Sequence, residues 1–154
     1  MKINNRVKRD QEIISQLEEF NHRFILGFIP IMSEPNIMQF LACAEDSIVG
    51  IPAIIDDEMV FMRWNPGIKL MKRSFYEPVH CEILDLPSED TLCITPLVAC
   101  TVLGDRLGRG GGYYDRFFAK YQKIFKVGVC YREQVLAAIP TEPHDIKLDK
   151  LILA

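Results

Sequence analysis

No stretch of this chain is long and apolar enough to cross a membrane. The longest nearly apolar run, residues 24–32, falls far short of the roughly 20 residues that a spanning helix needs. The first residues, MKINNRVKRDQEII, contain no apolar h-region, so no signal peptide is expected. Paired cysteine motifs are missing as well. The five cysteines, Cys43, Cys81, Cys93, Cys100 and Cys130, include no CxxC pair and are odd in number. That argues against a disulfide framework or a zinc ribbon and for buried free thiols in a reducing compartment. A cytoplasmic protein is expected, and a monomer. An excess of charge of one sign is also lacking. A formal net charge of −3 speaks against a chain whose main work is to coat nucleic acid. There is no internal repeat and no long low-complexity segment.

What is present is ordinary for a globular protein: 154 residues, 49% hydrophobic and 25% charged. That length predicts one domain spanning residues 1–154, with a core that needs no staples. Residues 4–20 read as a helix, because Ile13, Ile14, Leu17 and Phe20 fall on one side. Short apolar runs at 24–31, 48–55, 58–64, 92–97, 125–131 and 148–153 read as strands, with Pro52 a flaw in the second. Asp56 and Asp57 make a turn. Helices are expected at 37–44, 113–121 and 132–139. Residues 65–90, with Pro66, Gly67, Pro78 and Pro87, are expected to be irregular. The alternation of strands and helices predicts an α/β fold of three layers around a mostly parallel, Rossmann-like sheet.

The unusual segment is RLGRGGGYYDRF, residues 106–117. Five of the nine glycines fall between Gly104 and Gly112, and an aromatic run follows at once. Each glycine costs roughly 0.5–1 kcal/mol relative to alanine in backbone entropy, so something must offset it. Glycines between a strand and a helix let backbone N–H groups reach phosphate oxygens, and the helix N-terminus adds partial positive charge. Arg106 and Arg109 would add charge-assisted bonds. The segment is neither a Walker A loop, since no GK[ST] follows, nor a GxGxxG fingerprint. On glycine content alone a tight turn remains open. Tyr113, at the junction of loop and helix, is a candidate for stacking on a flat ligand, whereas Phe117, Phe118 and Tyr121 read as core. An RGG-type RNA-binding tract would be repeated and set in basic sequence. This one occurs once in an acidic chain, so no nucleic-acid partner is expected.

RLGRGGGYYDRF resembles the signature of the 5-formyltetrahydrofolate cyclo-ligase family, also called 5,10-methenyltetrahydrofolate synthetases. The resemblance extends to FIPIMSEPNI, to YEPV and to IPTEPHDIKLDKLIL, and so from about residue 6 to the end. It implies an ATP- and Mg²⁺-dependent ligase that converts 5-formyltetrahydrofolate to 5,10-methenyltetrahydrofolate by phosphorylating the formyl oxygen. It implies ATP contacts from Arg106, Leu107, Gly108, Arg109, Gly110, Gly111, Gly112, Tyr113 and Tyr114, with Arg109 to Tyr113 also lining the folate side and Arg109 and Tyr113 in the catalytic role. Glu34 matches the folate-binding glutamate and Ile29 an apolar position against the pterin. Trp64 is a candidate wall of the folate pocket, and a core role for it stays open. Asp115 and Asp145 match the magnesium positions. Read without the resemblance, Asp115 is a first-turn acid favoured by the helix dipole, Asp145 an ordinary loop residue, Glu34 a solvated loop charge and His144 a surface histidine.

Two departures stand out. The chain is expected to lack the family's first basic helix, with Arg6, Lys8 and Arg9 belonging to the next one. PLVACT, residues 96–101, places Leu97, Cys100 and Thr101 where the family usually has glycine, phenylalanine and aspartate. They motivate a second expectation, a non-catalytic folate- or nucleotide-binding relative.

Overall fold

A computed structural model describes residues 3–73, 76–86 and 89–154. Pro87, named above among the turn formers, lies outside them. The chain opens with α1 (Ile3–Leu17), whose buried stripe runs Asp10, Ile13, Ile14, Leu17 at helical spacing. The helix stops before the expected residue 20, because Glu19 and Phe20 have already tightened to three-residue backbone bonds on Gln16 and Leu17. β1 (Phe24–Leu26), α2 (Met38–Cys43), β2 (Ile48–Ile55) and β3 (Glu58–Arg63) follow. Asp56 and Asp57, with φ 50° and 62°, form the β2–β3 turn. Two consecutive left-handed residues match the twist of an antiparallel hairpin.

Next come β4 (Leu70–Lys72) and β5 (Tyr76–Pro78), which pair antiparallel, and β6 (Thr91–Thr95). β7 (Ala99–Cys100) and β8 (Arg106–Leu107) form a small hairpin ahead of the glycine loop. α3 (Tyr113–Lys120), β9 (Phe125–Cys130), a 3₁₀ turn (Arg132–Gln134) and β10 (Lys150–Leu153) complete the order.

The main sheet runs β10-β9-β6-β1-β2-β3. All its neighbours are parallel except β3, which returns antiparallel at the edge. The fold is therefore the expected α/β architecture with a mostly parallel sheet. Strand alternation divides the core. Ile25, Val49, Ile51, Leu92 and Ile94 pack with α1 and α2 on one face. Phe24, Leu26, Phe61 and Cys93 pack with Tyr114, Phe117 and Phe118 of α3 on the other.

Pro52 turns out not to be a flaw. β1 pairs with β2 only as far as Gly50, so the N–H that Pro52 lacks would face no strand on that side. Two expectations are corrected. Residues 65–90 are not wholly irregular, because they contain the β4–β5 hairpin, whose three-residue strands are too short to announce themselves by alternation. The helix expected at 132–139 is only the 3₁₀ turn. Val135 is extended and bridges Cys100, and the Leu136 N–H bonds the Cys100 carbonyl at 2.8 Å. Pairing with β7 competes with helix there and wins.

Candidate functional site

A cavity of about 580 Å³ opens at the carboxyl ends of β1 and β6, the end of an open parallel sheet where ligands gather. It is lined by Ile29 and Glu34 after β1, by Arg106 through Asp115 from β8 to the first turn of α3, and by Asp145 from the loop before β10. The structure thus brings together the glycine loop, both aspartates, Glu34 and Ile29. Trp64 is not among the lining residues. It is 7% exposed and packs in the α1–α2 core, its backbone N–H on the Val49 carbonyl. The candidacy of Trp64 as a pocket wall is corrected accordingly: it follows β3 on the core side.

Glu34 is the buried acid of the site. Its side chain is 7% exposed; Oε1 accepts from Arg109 Nη2 at 3.1 Å and Oε2 accepts from the Ile31 N–H at 2.9 Å. The loop that presents it turns at Met32, which adopts a left-handed φ of 52°. Arg109 leaves the glycine loop to make this pair and is itself 42% solvent-exposed. A carboxylate with two fixed oxygens at the wall of an apolar cavity suits a flat ligand edge carrying adjacent N–H donors.

The glycine loop has local reasons for its composition. Gly112 adopts φ 69° at the N-cap of α3. A Cβ on Gly111 would lie 2.8 Å from the Tyr113 ring, so that glycine lets the tyrosine fold back over the loop. Tyr113 is held from two further sides: its hydroxyl donates to Asp57 at 3.2 Å, and the Arg116 guanidinium sits 4.9 Å from the ring centroid while donating to the Gly111 carbonyl at 2.9 Å. Arg106 is placed deeper. Its Nε donates to the Pro96 carbonyl at 3.0 Å and its guanidinium lies 4.8 Å from the Tyr114 ring. Burial lowers the Arg106 pKa below the usual arginine value, and the surrounding Tyr114, Asp115, Cys93 and Asp145 act against that. Burial likewise holds the Tyr114 hydroxyl well above its ordinary value, so it stays neutral.

Asp115 and Asp145 each commit one oxygen to backbone. Asp115 Oδ1 accepts from the Ile146 N–H at 3.2 Å, and Asp145 Oδ2 from the Glu142 N–H at 2.7 Å. Those bonds orient both carboxylates on the same cavity. Among the described residues no group of three or more His, Cys, Asp or Glu could enclose a metal ion. Two carboxylates with the remaining positions left to phosphate and water is the donor set that Mg²⁺ takes beside a nucleotide. The residues therefore fit such an ion.

Pro96 and Leu97 of the PLVACT stretch also line the cavity, as do Phe28, Pro52, Tyr76 and Pro140, to which sequence reasoning gave no site role. These four present apolar surface and carry no charged or metal-binding group to mark them in the sequence. The PLVACT departures are accommodated locally. Leu97 is not among the residues with positive φ. The Thr101 hydroxyl donates to Asp105 Oδ2 at 3.0 Å and accepts from its N–H at 3.3 Å, closing the β7–β8 turn. Nor do the two arginines of α1 stand free. Arg9 pairs with Glu133 and donates to the Ala154 carbonyl, and Arg6 reaches the Glu34 loop.

The chain is similar to proteins of known name. A 5-formyltetrahydrofolate cyclo-ligase from Escherichia coli is 35% identical over 100 residues, 61% of this chain and 54% of that protein. A probable 5-formyltetrahydrofolate cyclo-ligase from Schizosaccharomyces pombe is 40% identical over 83 residues, 46% of this chain and 41% of that one. The chain thus spans about half the length of the curated relatives it matches. The solved 5,10-methenyltetrahydrofolate synthetase of Aquifex aeolicus superposes with a TM-score of 0.84 at 28% identity, covering 99% of this chain and 81% of that one. That of Mycoplasma pneumoniae gives 0.78 at 23% identity, with 99% and 88% covered, and speaks for the fold. Residues 7–154 match the description of one family throughout, and the chain belongs to it: the 5-formyltetrahydrofolate cyclo-ligase family.

Proposed function

We propose that this chain is a cyclo-ligase domain that uses ATP to convert 5-formyltetrahydrofolate to 5,10-methenyltetrahydrofolate, releasing ADP and phosphate. One observation carries the reading. The buried carboxylate of Glu34 and the phosphate-competent guanidinium of Arg109 meet at 3.1 Å in one cavity that also holds the glycine loop and two oriented aspartates. That adjacency supports a site in which folate and ATP would lie side by side, as transfer between two ligands requires.

In this reading Glu34 accepts from the amino and ring N–H groups of the pterin, with Ile29 and Tyr113 as apolar and stacking surfaces. The formyl oxygen takes the terminal phosphoryl group. The neighbouring folate nitrogen then attacks the formyl carbon, and the C–O bond breaks to release phosphate. Arg106, Arg109 and the loop N–H groups from Leu107 to Tyr114 stabilise charge on the moving phosphoryl oxygens. Asp115 and Asp145 would hold Mg²⁺, which supplies neutralisation of phosphate charge. The protein is taken to act as a monomer in the cytoplasm; no helix among its described residues is long and apolar enough to cross a membrane.

The test is the near-ultraviolet absorbance of the methenyl product, followed with ATP and Mg²⁺ present and absent. An ATP-dependent rise is expected. Arg109→Ala is expected to lower turnover by about 10²-fold or more with the fold intact by circular dichroism. A flat wild-type trace would overturn the catalytic reading. Calorimetric binding of folate or nucleotide without turnover would then favour a non-catalytic relative.

A further inference from the structure

The inference rests on the reading of Glu34 as the folate carboxylate and concerns what holds that carboxylate in place. We propose that Arg6 of α1 is a positioning residue for Glu34, setting the backbone of residues 31–34 so that the carboxylate faces the cavity. Arg6 Nη2 donates to the Glu34 carbonyl at 2.8 Å and to the Met32 carbonyl at 3.3 Å. Both acceptors lie in the short loop that carries the left-handed Met32 and the Ile31–Glu34 side-chain bond. The loop's own backbone closure is a single bond, from the Glu34 N–H to the Ile31 carbonyl at 3.1 Å. A turn with a left-handed, 80% exposed methionine at its tip is not held by core packing. A charged donor on two of its carbonyls holds it instead.

Arg6 is in turn built into the fold. Beside it lies a buried pair: the Tyr131 hydroxyl, whose ionised form the nearby Arg6 charge favours, donates to Asp10 Oδ1 at 2.5 Å. Tyr131 and Asp10 are 4% and 8% exposed. Positions 6 and 10 are one helical turn apart and lie on one face of α1, in line with the apolar stripe. The Tyr131 ring also carries the Arg9 guanidinium at 4.5 Å, so the buried pair packs beside both arginines of α1. Asp10, Tyr131 and Arg6 thus form a polar cluster through which α1 and the residue after β9 support the loop that presents the Glu34 carboxylate. The basic residue nearest the start of α1 is therefore engaged by the folate loop rather than by phosphate.

The experiment compares wild type, Arg6→Met and Arg6→Lys. Arg6→Met keeps the aliphatic stem and removes the donors; Arg6→Lys restores one. Three readouts are taken: calorimetric Kd for 5-formyltetrahydrofolate, calorimetric Kd for ATP with Mg²⁺, and hydrogen exchange of the Ile31 and Glu34 amides. For Arg6→Met we expect about tenfold weaker folate binding, ATP binding within about twofold, and about tenfold faster exchange at the Ile31 and Glu34 amides. The α1 amides should be unchanged, and Arg6→Lys should fall between. Unchanged folate affinity with unchanged exchange would overturn the proposal. So would an equal loss of folate and ATP binding accompanied by faster exchange throughout α1, which is the mark of a general stability role. If wild type binds no folate, the functional reading fails, and the exchange of Ile31 and Glu34 still decides whether Arg6 holds the loop.

Discussion

Two glycines of the same cluster are expected to respond very differently to one added methyl group. Gly104 adopts φ 92° and Gly110 φ 97°, so alanine at either position meets the left-handed penalty, roughly 1–2 kcal/mol. Their surroundings differ. A Cβ on Gly104 would lie 2.6 Å from the Leu148 carbonyl oxygen, whereas one on Gly110 would meet nothing within 4 Å. That carbonyl cannot move aside freely, because the Leu148 N–H is bonded to the Gly104 carbonyl at 2.8 Å. Losing this buried link adds roughly 1–3 kcal/mol. Gly104→Ala should therefore destabilise by about 3 kcal/mol and Gly110→Ala by about 1 to 2 kcal/mol. The first corresponds to a fall of roughly 6–12 °C in Tm for a domain of this size. The link also joins the β7–β8 turn to the loop that carries Asp145, so Gly104→Ala should weaken ATP–Mg²⁺ binding as well. Paired urea titrations and thermal melts of the two variants test this. Equal midpoints, or a Gly110 variant less stable than the Gly104 one, would refute the reasoning from close approach.

Other outcomes follow from buried ionisable groups. Burial pushes the Cys93 thiol up to about 12 and the Tyr131 hydroxyl up to about 12. Both groups hold their protons more tightly folded than unfolded, so stability is complete below about pH 9 and is lost as pH rises toward 12. Urea midpoints at pH 8 and pH 10.5 should show the decline, and Cys93→Ala should flatten it; a midpoint that rises with pH contradicts the assignment. Cys43 is exposed while Cys93, Cys100 and Cys130 are buried, and burial raises the thiols of Cys100 and Cys130 too. In the native protein a maleimide should label Cys43 first, with the buried three reacting only on unfolding; rapid labelling of Cys100 or Cys130 would count against their packing. Asp149 Oδ2 accepts from the Lys126 N–H at 2.7 Å and lies 3.3 Å from the buried Lys126 ammonium. Asp149→Ala should cost about 2 kcal/mol, discounted because the aspartate is partly exposed, and a wild-type urea midpoint would show that the pair contributes nothing.

Much of this protein was legible from local pattern alone. The strands from β1 to β3, β6 and β9 follow from apolar runs bounded by turn residues, because burial on both sheet faces demands such runs. α3 follows from Tyr114, Phe117, Phe118 and Tyr121 at helical spacing. The glycine loop stood out as a candidate ligand site because its entropic cost needed an offset. Where competition between distant segments decides, local pattern fails. Residues 132–139 have the composition of a helix, yet Leu136 pairs with Cys100. Gly104 reads like its glycine neighbours, yet the approach of Leu148 makes alanine costlier there than at Gly110. Trp64 is a plausible pocket wall in the sequence and a core residue in the fold, because which side of a strand end a side chain takes depends on the sheet around it. The same holds for Arg6, 28 residues from Glu34 in the chain. A guanidinium's partner is set by whichever carbonyls the packed helix brings within reach, and that is a property of the tertiary structure alone.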